Sequence, residues 1–209
     1  TLTIGDAGAE DTKIVFDGNA QDWHIGLDDS TDDFVIGLGS ALGTTSHIVI
    51  DETGAVTKPL QPAFMWINAG GDTYAHSADV DMIGDGEIFD LNADLSGVNG
   101  AVKTFTAPVT GRYFFSVMAN MNAGGASIPI IKAEVFISCS NRKLKFGFTE
   151  LQTDADNMFS INGSGIIDMD AGDTCKGIIN CKRGSGTGDF TTSGSSTDSR
   201  HGMSGFLVC

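Results

Sequence analysis

The four histidines are the first residues to examine for acid–base or metal chemistry, and they are scattered along the chain. They are His24, His47, His76 and His201. A zinc site needs histidines or cysteines at short regular spacings. A serine hydrolase places its nucleophile in a Gly-x-Ser-x-Gly turn. The sequence contains neither arrangement, so we expect no enzyme activity and no catalytic residue.

Two short motifs contain the residue types of a ligand-binding loop. Asp79-Val80-Asp81 is similar to the start of a calcium loop, but Ile83 stands where an oxygen ligand is needed and Asp90 replaces the bidentate glutamate. Residues 184–188 have the glycine content of a phosphate-binding loop, but no helix pattern follows them. We therefore expect no metal and no cofactor, and a flexible loop at 184–188.

The four cysteines show no regular spacing. They are Cys139, Cys175, Cys181 and Cys209. If Cys175 and Cys181 share a strand, they point the same way but lie roughly 20 Å apart, which is too far for a disulfide. We expect free thiols packed as small apolar side chains.

Acidic residues outnumber basic ones by 27 to 12, which gives a net charge of −15. Nucleic acid is a poor partner for such a chain, because binding it depends on lysine and arginine. Eleven of the acids lie in the first 57 residues, opposed only by Lys13. An acidic surface of this kind keeps an extended object soluble. No apolar run is long enough to cross a bilayer, so we also expect no membrane insertion.

The first 57 residues repeat one short pattern, in which two apolar residues flank a single spacer and are followed by Gly or Asp. The pairs are Leu2/Ile4, Ile14/Phe16, Ile25/Leu27, Ile36/Leu38 and Ile48/Ile50. The spacing places both members of a pair on one face of a short strand, and the Gly/Asp-rich remainder is typical of a turn. One such strand cannot bury its apolar face alone, so the units must stack on one another or on identical chains. This predicts a repetitive β stalk over residues 1–57.

Two prolines in residues 58–62 end the repeat and predict a linker. Beyond it, apolar runs alternate with turn residues, and residues 184–199 have the composition of a long loop. The strand-like runs cover residues 63–67, 87–91, 104–107, 112–120, 128–138, 143–149, 165–169, 174–181 and 202–209. The whole chain is therefore predicted to be all-β, with a sandwich or jelly roll over residues 63–209.

Three stretches of residues 63–209 carry a family resemblance. They are Phe105-Thr106-Ala107-Pro108 with Tyr113-Phe114-Phe115, Asp170-Ala171-Gly172-Asp173, and Ser204-Gly205-Phe206-Leu207-Val208. In this order they resemble the globular head of complement component 1q, a relative of the tumour necrosis factor fold. The resemblance implies a ten-stranded jelly-roll sandwich assembled as a homotrimer. Core positions are predicted at Phe105, Tyr113, Phe115, Val117 and Phe206.

The first part carries a separate resemblance. Asp11-Thr12-Lys13-Ile14-Val15-Phe16-Asp17-Gly18 and Trp23-His24-Ile25-Gly26-Leu27-Asp28-Asp29 resemble the repetitive stalks of tailed-bacteriophage fibres, particularly those of marine phages. This implies a trimeric tail or head fibre, joined to other virion proteins through its N-terminus. Its C-terminal knob would recognise carbohydrate or protein on the host surface. The protein would be assembled in the bacterial cytoplasm and be extracellular in the released virion.

Two other interpretations remain open. The trimer could be a structural capsid or tail decoration without receptor binding, or a secreted extracellular recognition module. Animal secreted relatives usually carry collagen-like Gly-X-Y stalks, which this chain lacks. The expected absence of a disulfide framework also argues against the secreted module.

Three loops are predicted to lie together at the end of the knob remote from the stalk: residues 120–127, 150–161 and 184–200. Loops on a rigid sandwich vary without unfolding it, so recognition commonly resides there. The candidate receptor-facing residues are Asn120, Asn122, Ser127, Glu150, Asp154, Asn157, Ser185, Thr187, Asp189, Thr192 and Arg200. Alternatively, these loops are only solvated connections.

Overall fold

The computed structural model describes residues 1–122, 130–151, 158–186, 188–193 and 200–209. The described residues contain strands and turns but no helix. The chain divides into two compact units, residues 1–61 and 62–209.

The N-terminal unit is a five-stranded antiparallel sheet in which each strand pairs with the next. The strands are β1 (Thr12–Phe16), β2 (Trp23–Asp28), β3 (Asp33–Leu38), β4 (Ser46–Ile50) and β5 (Val56–Thr57). Four of the five apolar pairs lie in β1 to β4. The first pair, Leu2/Ile4, lies outside any strand, which corrects the expectation of five equivalent units.

The aspartates that follow the strands form the turns. Asp51 Oδ1 accepts hydrogen bonds from the amides of Thr53 and Ala55 at 2.9 and 2.8 Å. The hydroxyl of Thr53 and these amides hold the pKa of Asp51 below its usual value. Gly54 supplies the left-handed conformation that closes this turn, at φ 88°.

The C-terminal unit contains fifteen strands within its described residues. They are β6 (Ala63–Ile67), β7 (Thr73–Tyr74), β8 (Val80–Asp81), β9 (Ile83–Gly84), β10 (Gly86–Leu91), β11 (Leu95–Ser96), β12 (Ala101–Val102), β13 (Thr104–Thr106), β14 (Gly111–Asn122), β15 (Ile130–Cys139), β16 (Lys143–Leu151), β17 (Met158–Met169), β18 (Thr174–Arg183), β19 (Phe190–Thr192) and β20 (Gly202–Leu207). The number exceeds the expected ten because residues 68–102 add short strands and β19 lies within the predicted loop 184–199.

Two sheets of this unit form a jelly roll. The first sheet contains the order β10-β6-β20-β14-β17, with β19 paired to the end of β14 and β7 paired to β19. The second sheet has the order β11-β13-β18-β15-β16, with β8 paired to β18. Consecutive long strands therefore alternate between sheets or pair across a hairpin, as in a double Greek key. Strand β14 is central because it pairs with β17 over twelve residues on one side and with β20 on the other.

The core lies between the two sheets. Alternate side chains of β14 point into it, and Tyr113, Phe115 and Val117 are buried there together with Phe105. The rings of Phe64 and Phe105 stack with centroids 4.8 Å apart.

Phe206, predicted to lie in the core, is 47% exposed on the outer face of the first sheet. The neighbouring Gly205 explains the reversal. A side chain at Gly205 would meet the rings of Phe115 and Phe64 within 3 Å, so the inward position of β20 at this point accommodates only glycine. Strand alternation then turns Phe206 outward.

The expectation of four free thiols is wrong for two cysteines. Cys139 and Cys175 face each other across β15 and β18 and form a disulfide. Cys181 lies too far along β18 to pair with Cys175, whereas the sheet register brings Cys175 beside Cys139, 36 positions away. Cys181 is buried and free, and Cys209 is exposed and free.

The disulfide closes a long loop, so its loss should destabilise the protein. We expect Cys139→Ala/Cys175→Ala to lower the free energy of unfolding by about 3 to 4 kcal/mol, from loop entropy. Chemical denaturation measures this, with Cys181→Ala as the control. Alkylation of the unfolded wild type before reduction should modify only Cys181 and Cys209. Modification of all four cysteines would contradict the assignment.

Candidate functional site

One face of the N-terminal sheet carries apolar side chains on strands β1 to β4. Strand register aligns three rows across it: Phe16, Trp23 and Leu38; Ile14, Ile25, Ile36 and Ile48; Leu27, Phe34 and Ile50. Each of these side chains is at least partly exposed, and Phe16 is 60% exposed. A groove of about 310 Å³ on this face is lined by Ile14, Ile25, Leu27 and Phe34 together with Leu2 and Ile4.

The opposite face of this sheet is closed by the chain itself. His24 is buried, and its Nδ1 lies 2.9 Å from the carbonyl oxygen of Gly39. Lys13 Nζ donates to the carbonyl of Ser40 at 2.7 Å, and Leu42 in the same segment is buried. The segment after β3 therefore covers one face and leaves the apolar rows on the other.

A second apolar row crosses the outer face of the first sheet in the C-terminal unit. It consists of Leu91, Ala63, Phe206, Phe114 and Ile166, which are aligned by register across five strands. The rings of Phe114 and Phe206 lie 5.2 Å apart, and Ile166 is 57% exposed. The parallel row contains Phe89, Met65, Ser204, Ser116 and Ser164. The outer face thus combines exposed apolar groups with small side chains that permit close approach.

Strand β14 defines the two ends of the C-terminal unit. At one end the Arg112 amide donates to the carbonyl of Cys209 at 2.8 Å, and Leu207 donates to Pro62. The twelve residues of β14 span about 37 Å. At the other end Asn122 pairs with Met158 and Thr191. Both termini of the unit therefore lie at the end opposite Asn122, Met158 and Thr191.

Some of the predicted receptor-facing residues lie in strands, some are exposed, and some lie outside the described residues. Asn120 and Asn122 belong to the end of β14, and Glu150 lies within β16. Ser185, Asp189 and Arg200 are exposed. Ser127, Asp154, Asn157 and Thr187 lie outside the described residues.

Thr192 corrects the prediction, because it is only 5% exposed in β19. Its hydroxyl accepts a hydrogen bond from the Asp72 amide at 3.1 Å. Asp189 is also held in place, since its Oδ1 accepts from the His76 amide at 3.3 Å and its carbonyl accepts from Arg183 at 2.7 Å. Hydrogen bonds therefore hold Thr192 and Asp189 in place.

A buried polar cluster, missed by the sequence analysis, lies against β19. The hydroxyl of Tyr74 lies 3.1 Å from His201 Nε2 and accepts from the Ile83 amide at 3.0 Å. Asn68 donates to the side chain of Asp72 and to the carbonyl of Ile83. Tyr74 and His201 lie 127 positions apart, so no local motif reveals their contact.

Burial governs the protonation states in this cluster. It lowers the pKa of His201 to about 3, because the charged imidazolium would lose its hydration. Burial is also the main cause that raises the pKa of Tyr74, with smaller contributions from the charges of Asp72 and Asp85. His201 is therefore a neutral structural group, and its Nδ1 has no hydrogen-bond partner among the described residues.

The two aspartates of the calcium-like motif contact side chains of β18. Asp79 Oδ1 accepts a hydrogen bond from Asn180 at 2.6 Å, and Asp81 pairs with Lys176 at 2.6 Å. Over the described part of the chain, no three His, Cys, Asp or Glu side chains are grouped to hold a metal ion. In the same residues no helix is long and apolar enough to span a membrane.

Comparison with known proteins gives matches in structure only. No protein family and no curated protein matches the sequence. The globular domain of zebrafish complement 1qA is similar over 71% of this chain and 98% of its own, with 16% identity and a TM-score of 0.46. Eiger TNF from S. frugiperda (12% identity, 71% and 94% coverage, TM-score 0.46) and murine APRIL (12%, 70% and 98%, 0.43) are also similar. The jelly-roll assignment itself rests on the strand order given above.

The buried His201 should make the protein acid-sensitive. Its contribution to stability is complete above the unfolded pKa of 6.5 and is lost as the pH falls from 6.5 toward 3, because only the unfolded chain binds the proton. The loss should reach about 1.4 kcal/mol per pH unit within that window. Denaturant midpoints at pH 7, 5 and 4 should fall less steeply for His201→Gln than for wild type. His47→Gln is the control, and equal slopes for wild type and His201→Gln would contradict the assignment.

Proposed function

We propose that this chain is a homotrimeric virion fibre protein whose C-terminal unit recognises a host cell surface. The observation that carries the proposal is the presence of an uncovered apolar sheet face on each of the two units. Such faces mark sites of assembly.

Assembly with copies of the same chain accounts for both faces. The row through Phe114 and Phe206 crosses five strands of its sheet, and the isoleucine row of the N-terminal unit crosses four strands. Closed symmetric homo-oligomers bury identical faces on every copy. Three copies would bury each face around a common axis, as the resemblance to the complement component 1q head implies.

The fibre role rests on the order of the two units along the chain and on the resemblance of residues 11–29 to phage fibre stalks. The N-terminal unit consists of short strand-and-turn repeats with an acidic surface, and the jelly roll follows it. Both termini of the jelly roll lie at one end. The exposed Ser185 and Asp189 follow β18 and lie near the opposite end. That second end is therefore proposed to face the host, and other virion proteins to bind through the N-terminus.

A secreted recognition module is the second candidate, and the disulfide favours it. Disulfides persist in oxidising surroundings, which a secreted protein occupies throughout its life. A released virion is also extracellular, so the Cys139–Cys175 bond is compatible with both candidates. The expected lack of disulfides therefore no longer counts against the secreted module. A decoration protein without receptor binding differs from the first candidate only in having no affinity for cells.

Light scattering at micromolar concentration should give three times the 21.8 kDa mass of the chain. Phe206→Asp/Ile166→Asp should shift the mass toward the monomer, because two carboxylates would be buried in the interface. Val98→Asp/Val109→Asp is the matched control, since Val98 is 77% exposed outside both apolar faces. A monomeric or dimeric wild type would contradict the proposed trimer.

Labelled wild-type protein should bind to cells of its host and compete with virion adsorption. Cryo-electron microscopy of the same virions should locate the chain on projecting fibres, because a recognition protein must reach beyond the particle surface. A chain found on the particle that binds no cells would favour the decoration role. A chain absent from particles that nonetheless binds cells would favour the secreted module.

A further inference from the structure

Five lysines share the outer face of the second sheet. They are Lys132 on β15, Lys143 and Lys145 on β16, and Lys176 and Lys182 on β18. Register places them on one face, because Lys145 lies opposite Phe136, Lys143 and Lys176 flank Ser138, and Lys182 lies opposite Lys132. The chain has only twelve basic residues and a net charge of −15. Almost half of its positive charge is therefore concentrated on this sheet face, which we call the lysine face.

Two of the ammonium groups lie over one aromatic ring, and two other lysines face each other across neighbouring strands. Lys145 Nζ lies 4.5 Å from the centroid of the Phe136 ring and Lys143 Nζ lies 5.4 Å from it. Lys132 and Lys182 are direct cross-strand neighbours, an arrangement that is destabilising for like charges. The Phe136 ring offsets part of this repulsion, and a bound anion would offset more of it.

Three carboxylates on or beside the lysine face offset part of the charge. Lys132 pairs with Glu134 at 2.7 Å, Lys176 with Asp81 at 2.6 Å, and Lys143 with Asp79 at 3.7 Å. For Lys145 and Lys182, the described residues provide no carboxylate within ion-pair distance. The lysine face therefore keeps a positive excess.

Asp79 shows how the lysine face holds an anion. Its carboxylate accepts a hydrogen bond from Asn180 Nδ2 at 2.6 Å. That hydrogen bond, followed by the charges of Lys143, Lys145 and Lys132, lowers the pKa of Asp79. Three lysines from two strands thus act on one carboxylate position.

We propose that the lysine face binds an anionic polysaccharide, whose acidic groups are held by Lys145 and Lys182 together with the lysines around them. The host surface as the source of this polysaccharide rests on the proposed function. Lysine suits such a ligand because its ammonium is a mobile point charge, which can follow irregularly spaced acidic groups. Lys132 and Ser138 lie six residues apart on β15, so the lysine face is about 20 Å long.

The size and surroundings of the lysine face favour a polysaccharide over nucleic acid. Duplex DNA carries one charge per ~1.7 Å and would extend past the face onto a surface with a large acidic excess. A flexible polysaccharide with widely spaced acidic groups can place a few of them on the lysines without bringing a dense charge to the remaining surface.

The test measures binding of the full-length protein to dextran sulfate, polygalacturonate and neutral dextran by biolayer interferometry at several salt concentrations. Lys145→Gln/Lys182→Gln removes two lysines that have no carboxylate partner within the described residues. Lys13→Gln/Lys58→Gln removes the same charge from the N-terminal unit and the linker and serves as the control. Light scattering of each sample reports trimer assembly separately, so failure of the proposed fibre and failure of anion binding are distinguishable.

We expect wild type and the control to bind one or both acidic polymers, increasingly weakly as salt rises, and not to bind dextran. Lys145→Gln/Lys182→Gln should weaken binding by about tenfold or more, since two counterion-releasing contacts are lost. A preference for dextran sulfate would indicate sulfate or phosphate groups in the natural ligand, and a preference for polygalacturonate would indicate carboxylates. Equal binding by the two variants, no binding by wild type, or tighter binding to a 20-base-pair DNA duplex would overturn the proposal.

Discussion

In each unit of this protein, the chain itself covers one apolar sheet face and leaves another apolar sheet face exposed. In the N-terminal unit the segment through Leu42 closes the side of His24 and leaves the isoleucine rows open. In the C-terminal unit the two sheets close on each other, yet the row through Phe114 and Phe206 stays outside. Burying these faces is worth roughly 25 cal/mol per Å². Strand pairing aligns the apolar side chains of each face in rows across the sheet.

Strand β14 connects the interior of the C-terminal unit to its outer surface. Its inward residues Tyr113 and Phe115 form the centre of the core, and the Tyr113 hydroxyl donates to the carbonyl of Val109 at 2.7 Å. Its outward residue Phe114 belongs to the exposed apolar row. Because the side-chain period of a strand is two, a shift of register by one residue would expose the core and bury the outer row. The hydrogen bonds to β17 along the whole strand fix that register.

Local alternation could be predicted from the sequence, and long-range pairing could not. The apolar pairs Ile14/Phe16 and Ile25/Leu27 lie in strands because a spacing of two needs only neighbouring residues to specify it. Phe206 was misplaced because the constraint on its strand comes from the rings that occupy the space beside Gly205. The Cys139–Cys175 bond and the contact of Tyr74 with His201 join residues that only the folded topology brings together. Thr192 was wrongly predicted to face a receptor, because its burial depends on Asp72 and Asn68, which lie far away in the sequence.

The distribution of charge makes ordered assembly compatible with exposed apolar faces. In the N-terminal unit the apolar strands are followed by acidic residues, including Asp17, Asp29 and Asp51, so the ends of these strands carry negative charge. Charges at the borders of an exposed sheet oppose edge-to-edge pairing, whereas face-to-face contact brings apolar rows together. In the C-terminal unit the lysine face and the apolar row lie on opposite sheets, because alternate strands of the jelly roll supply them. Burial of the apolar row within an oligomer would therefore leave the lysines on the outside, available to an anionic ligand.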